Sequence, residues 1–218
     1  MDQREFMPNM NMSFGQYKQY CFIRQKKEMR EVHMCKPIRE LYGKSADELL
    51  EMYGLQDSVP LDLSALLQKA GISVLPMDFS KIEQSKALKE QVEKRGQILG
   101  ALICIDDNAA IFYSHKDMVN GHRYRFTIAH ELAHCCITGE QNHIEFRRDS
   151  ESVNDSELAA NIFAGELLIP EGKLREIIGE LLIPSINVLA DIFAVSVNVM
   201  KARLDYLKIG NKIIGYST

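Results

Sequence analysis

The stretch Phe126-Thr127-Ile128-Ala129-His130-Glu131-Leu132-Ala133-His134 limits what this chain can fold into more than any other part of it. It contains no Pro or Gly, and its apolar residues surround three ionisable ones. The pattern predicts a buried helix over residues 123–137, ended by Thr138-Gly139. On a helix, positions four apart share a face, one turn along the axis. His130 and His134 therefore present two imidazoles to a single point, and both can reach one Zn²⁺ at ~2.0–2.1 Å. Glu131 falls one position round, beside the water that such an ion activates rather than among its ligands.

A catalytic zinc needs a third protein ligand and one open position. Downstream carboxylates are plentiful: Glu140, Glu145, Asp149, Glu151, Asp155, Glu157 and Glu166. Glu157 is favoured because it sits in the first turn of a predicted amphipathic helix, capped by Asp155 or Ser156 and running to Leu168. Asn161 lies four residues on, on the same face, where it can hold a ligand's other polar group. His143 competes for the third position. It is nine residues after His134, in a polar segment, 140–154, that reads as a loop.

The tetrahedral oxyanion formed in peptide hydrolysis needs a donor opposite the base. Tyr113, His115, His122, Tyr124 and His143 are the candidates, and the sequence does not choose among them. If the strand at 109–113 lies at a sheet edge, a peptide could add to it and be presented to the metal.

The rest of the chain frames this helix. Ser45-Ala46-Asp47-Glu48 has the form of a capping box and starts a helix that ends at Gly54. A second helix spans about 62–70 and stops at Gly71. Ile72-Ser73-Val74-Leu75 alternates as a short strand cut by Pro76. Residues 80–96 read as a loop or short surface helix. The β-rich runs 98–105 and 109–113, joined by Asp106-Asp107-Asn108, form a hairpin. Helical stretches follow at 172–182, 186–193 and 197–207, with Gly210 closing the last. Upstream, 1–15 reads as a Met- and Asn-rich tail and 16–36 as a locally basic helix. Helices, a small sheet and more helices, without repeating βαβ units, define an α+β chain.

Composition narrows the function. The 218 residues carry a net charge of −4 and a pI near 5.9, so direct DNA binding by global charge is not expected. The apolar runs are too short to span a bilayer, and the charged N-terminus does not resemble a secretory signal. Five cysteines, an odd number, fit a reducing cytoplasm better than a disulfide framework. Cys135 and Cys136 read as small buried residues, and Cys21, His33 and Cys35 do not match a structural zinc spacing.

Two segments together resemble a known family. Arg125-Phe126-Thr127-Ile128-Ala129-His130-Glu131-Leu132-Ala133-His134 is followed by Glu157-Leu158-Ala159-Ala160-Asn161-Ile162-Phe163-Ala164-Gly165-Glu166-Leu167-Leu168-Ile169-Pro170. The pair is similar to the signature of the ImmA/IrrE zinc metallopeptidases, an RFTIAHELGH helix and a later E-x-x-A-N-x-F-A-x-x-L-L-M-P helix. Ala133 stands where Gly is common, and Ile169 where Met is common. The resemblance runs from about Ser45 to Pro170 and more weakly to Leu207.

The resemblance implies a zincin-like metallopeptidase domain at 45–170 with a small β-sheet. An N-terminal extension, partly helical, occupies 1–44, and a helical C-terminal subdomain occupies 171–218. It implies His130, His134 and Glu157 as zinc ligands and Glu131 as the catalytic glutamate. It further implies site-specific cleavage of a helix-turn-helix transcriptional repressor, in mobile-element or stress-response control. The alternative is a DNA-binding or regulatory protein with a structural or sensory metal site. Residues 189–204 are similar to a helix-turn-helix core, with Ala194 at the turn where Gly is usual and a thin basic face of Lys201, Arg203 and Lys208.

Overall fold

The structure is a computed structural model that describes residues 35–85, 88–116, 122–139, 142–146 and 155–216. The tail at 1–15, the stretch at 16–34, Cys21 and His33 lie outside the described residues. Helices α1 (Lys36–Leu41), α2 (Ala46–Tyr53) and α3 (Leu63–Lys69) lead into strand β1 (Ile72–Met77). Two short helices, α4 (Ser80–Glu83) and α5 (Lys89–Arg95), precede β2 (Ile98–Ile105) and β3 (Asn108–Ser114). Then come α6 (Arg123–Thr138), β4 (Asn142–Phe146) and α7 (Asp155–Leu168). Helices α8 (Glu171–Glu180), α9 (Ile186–Ile192) and α10 (Val197–Leu207) follow, with a 3₁₀ turn at Gly210–Lys212. This is the α+β architecture expected from the order of the patterns.

Local chemistry accounts for most element boundaries. Ser45 Oγ accepts from the Glu48 amide at 3.2 Å, and Glu48 Oε2 accepts from the Ser45 amide at 2.6 Å, a complete capping box at the start of α2. Asp62 caps α3 by accepting from the Ala65 amide at 2.9 Å. Gly139 ends α6 at φ 67°, a left-handed conformation that favours glycine, and its amide donates to the His134 carbonyl.

The sheet has the order β1-β3-β2-β4. β2 and β3 form the expected antiparallel hairpin, Leu102 opposite Ile111, turning through Asp106 at φ 54°. β1 lies parallel to β3. Three expectations change here. Pro76 does not end β1 but sits inside it, paired with Tyr113, which an edge strand tolerates because a missing N–H there breaks little of the ladder. The segment taken for a loop after α6 contains β4, antiparallel to β2 with His143 opposite Leu102. The strand at 109–113 is interior, flanked by β1 and β2, so it offers no edge to a peptide. Among the described residues β4 is the edge strand on the side of β2, and it contacts α6.

One hydrophobic core runs from Cys35 to Ile213. It takes Leu102, Ile111 and Tyr113 from one face of the sheet, and Ile128, Leu132, Phe163 and Leu167 from α6 and α7. A small second cluster of Phe79, Ile98 and Ala101 forms away from that core. Residues 127–136 of α6 are all buried, so the helix is enclosed on every side rather than amphipathic. Leu132 of α6 and Leu189 of α9 are both fully buried in the main core. Among the described residues no helix is long and apolar enough to cross a membrane.

Candidate metal centre

α6 and α7 pack against each other, and both carry small buried residues, Ala129 and Ala133 on one and Ala160 and Ala164 on the other. Small side chains allow their backbones to approach closely. This brings the first turn of α7 to the middle of α6. His130 Nε2 lies 3.1 Å from His134 Nε2. Glu157 Oε2 lies 3.3 Å from His130 Nε2, and Glu157 Oε1 lies 3.7 Å from His134 Nε2. One ligating atom from each of the three falls within 4.8 Å of the others, and all three residues are buried.

The donor set fits a divalent ion. Asn161 Oδ1 lies 3.0 Å from His130 Nδ1 and accepts its N–H, which leaves the lone pair on Nε2, the nitrogen that points into the cluster. Two imidazole nitrogens 3.1 Å apart need a proton or a cation between them. Burial works to raise the Glu157 carboxyl, but the imidazoles of His130, His143 and His134 around it outweigh that effect and hold the group well below the usual carboxylate range. A buried carboxylate kept ionised beside two imidazoles is a donor set that suits a divalent cation.

Glu131 is fully buried and lies outside the trio. Its Oε2 accepts from His143 Nδ1 at 3.0 Å, while Oε1 has no hydrogen-bond partner among the described residues. The backbone of β2 rests directly on it. A Cβ built on Gly100 would stand 3.0 Å from Glu131 Oε1 and 2.6 Å from Thr127 Cγ2. Only a residue without a side chain fits between strand and carboxylate.

Of the proposed oxyanion donors, His143 comes to the cluster. Its ring stacks on His134 at 3.9 Å between centroids, and its Nε2 is 3.6 Å from Glu157 Oε1. Tyr113 and Tyr124 instead pair with each other, rings 5.4 Å apart. His115 donates from Nδ1 to the Met77 carbonyl at the end of β1. His122 stands at the N-cap of α6 and makes no side-chain cap. Gly100 is the residue that sequence reasoning missed, although a lone glycine inside an apolar strand run is the signal of close backbone approach.

A four-stranded sheet backing a buried His-Glu-x-x-His helix, with a carboxylate delivered by the next helix, defines a metallopeptidase-type domain. The chain belongs to the Peptidase_M78 family, IrrE N-terminal-like domain, whose family model matches residues 67–205, more than half of the sequence. The match extends beyond Pro170 through α8, α9 and most of α10. No curated protein and no solved structure matches the chain.

Proposed function

We propose that this protein is a zinc-dependent endopeptidase of the cytoplasm. The observation that carries the reading is the convergence of His130 Nε2, His134 Nε2 and the Glu157 carboxylate beside the buried, separate carboxylate of Glu131. A purely structural metal site has no use for that fourth group.

His130, His134 and Glu157 would hold the zinc, with Asn161 fixing the His130 ring. When bound, zinc polarises the scissile carbonyl and acidifies water. Glu131 takes a proton from the attacking water and delivers it to the departing amine. Its Oε1 faces the β2 backbone at Gly100, and its Oε2 accepts from His143. His143 is the favoured partner of the oxyanion, since its ring touches Glu131, Glu157 and His134 together. A substrate backbone pairs with β4 at the sheet's edge rather than with the interior strand β3.

The proposed substrate is a helix-turn-helix transcriptional repressor, a reading supported by the paired signature helices. Direct DNA binding through the helix pair α9–α10 is disfavoured. Ala194 does turn at φ 50° between those helices, as a helix-turn-helix requires. Arg203, however, is buried, its Nε donating to the Ile169 carbonyl at 3.1 Å and its Nη1 3.6 Å from Glu166. That removes one of three cations from an already thin basic face.

The test is co-expression with candidate repressors. Cleavage by the wild type that is abolished in Glu131→Gln, with zinc content unchanged, is the expected result. Intact repressors throughout, together with retention of the protein on duplex DNA at moderate salt, would favour a regulatory protein with a sensory metal site instead.

A further inference from the structure

Cys35 and Cys104 are 69 positions apart in the chain, yet their sulfurs lie 3.2 Å apart. Cys35 is the buried N-cap residue of α1, and Cys104 is a half-buried residue near the end of β2. The backbones on both sides are anchored at the same place. The Lys36 amide donates to Asp107 Oδ1 in the β2–β3 turn at 3.1 Å, and the Cys104 amide donates to Asn142 Oδ1 at the start of β4 at 3.3 Å. The sulfurs are hydrogen-bonded thiols, and a shift of about 1 Å brings them to the 2.03–2.05 Å of a disulfide.

We propose that Cys35 and Cys104 are a disulfide-forming site, oxidised by a low-molecular-weight disulfide such as glutathione disulfide. This inference rests on the thiol pair alone and is independent of the peptidase reading. Cys104, the more accessible of the two, releases its proton and attacks one sulfur of the small disulfide. Its S–S bond breaks, and the leaving thiolate carries off the electron pair and takes up a proton. Cys35 then releases its proton and attacks the Cys104 sulfur, displacing the second small thiol. Two protein thiols lose two electrons and two protons, and one small disulfide becomes two thiols.

The environment sets the tempo. Burial, and then contact with Cys35, push the Cys104 thiol up to about 12. Little of it is thiolate at neutral pH, so the first step is slow. The same basicity makes Cys104 a poor leaving group, so reduction that expels its thiolate is slow. The pair records prolonged oxidising exposure rather than sensing a brief one. Cys135 and Cys136, buried in α6, lack that route to solvent.

The test treats the full-length protein with glutathione disulfide, blocks remaining thiols, digests it and maps the products by mass spectrometry. The expected product joins the Cys35 and Cys104 peptides, two hydrogens lighter than their sum, and is reversed by excess dithiol. Closing so long a loop raises the melting temperature by about 10 °C. Cys35→Ser should stop the reaction at a glutathione adduct on Cys104, and Cys21→Ser should leave the bond intact. A wild type in which Cys104 keeps glutathione, in which the bond joins other cysteines, or in which neither thiol reacts while the unfolded chain does, overturns the proposal.

Discussion

Asn161 acts at the smallest scale, by deciding which nitrogen of His130 is available. Its carbonyl oxygen takes the Nδ1 proton and leaves the Nε2 lone pair facing His134 and Glu157. Asn161→Ala should therefore keep the fold and weaken zinc binding by about 10–100-fold, read by competition against a chromophoric chelator. Asn161→Asp, which keeps an acceptor, should lose much less. An unchanged affinity in Asn161→Ala would remove this residue from the site. His130, Glu131 and His134 were legible in the sequence because helical periodicity alone places them. Glu157 and Asn161 were legible as a pair on one face, since one helical turn separates them too. His143 was only one name among several. Its approach to Glu131 depends on residues 142–146 being a strand, and the alternation of Ile144 and Phe146 with polar neighbours is too short to announce one.

At the scale of elements, β2 passes close to α6 beside the site. Gly100→Ala would drive a methyl into Thr127 and the Glu131 carboxylate. The substitution should destabilise the protein by about 1–3 kcal/mol in urea unfolding. Pairing it with Thr127→Ser, which removes the methyl it meets, should recover part of that loss. A neutral Gly100→Ala would mean that strand and helix are further apart than described. Helix starts and stops were the readable part of the fold, because Ser45, Asp62, Gly54 and Gly139 act on their immediate neighbours. Strand order was not readable. Pro76 looked like a terminator, yet the edge position of β1 tolerates it. The strand at 109–113 became interior only because β1 returns in parallel beside it, a pairing between residues more than 30 positions apart.

For the whole molecule, the candidate metal ligands and the core are one structure. His130 and His134 alternate along α6 with Ala129, Leu132 and Ala133, and α7 brings Glu157 on the helix that also buries Phe163 and Leu167. An ion that binds only the folded chain stabilises it by about 2.7–4.1 kcal/mol at 100–1,000 times its dissociation constant. Removing zinc with a chelator should lower the melting temperature by roughly 5–15 °C, and His134→Ala should show no such dependence. A chelator-insensitive wild type would mean that no ion links α6 to α7.

The enclosure of α6 also shapes what genetics will find. Between positions 127 and 136 there is no surface on which a replacement goes unnoticed. A screen for inactive alleles will therefore collect lesions that lower protein abundance there, alongside those that spoil chemistry in a well-made enzyme. Only alleles scored for protein level as well as phenotype will separate the two.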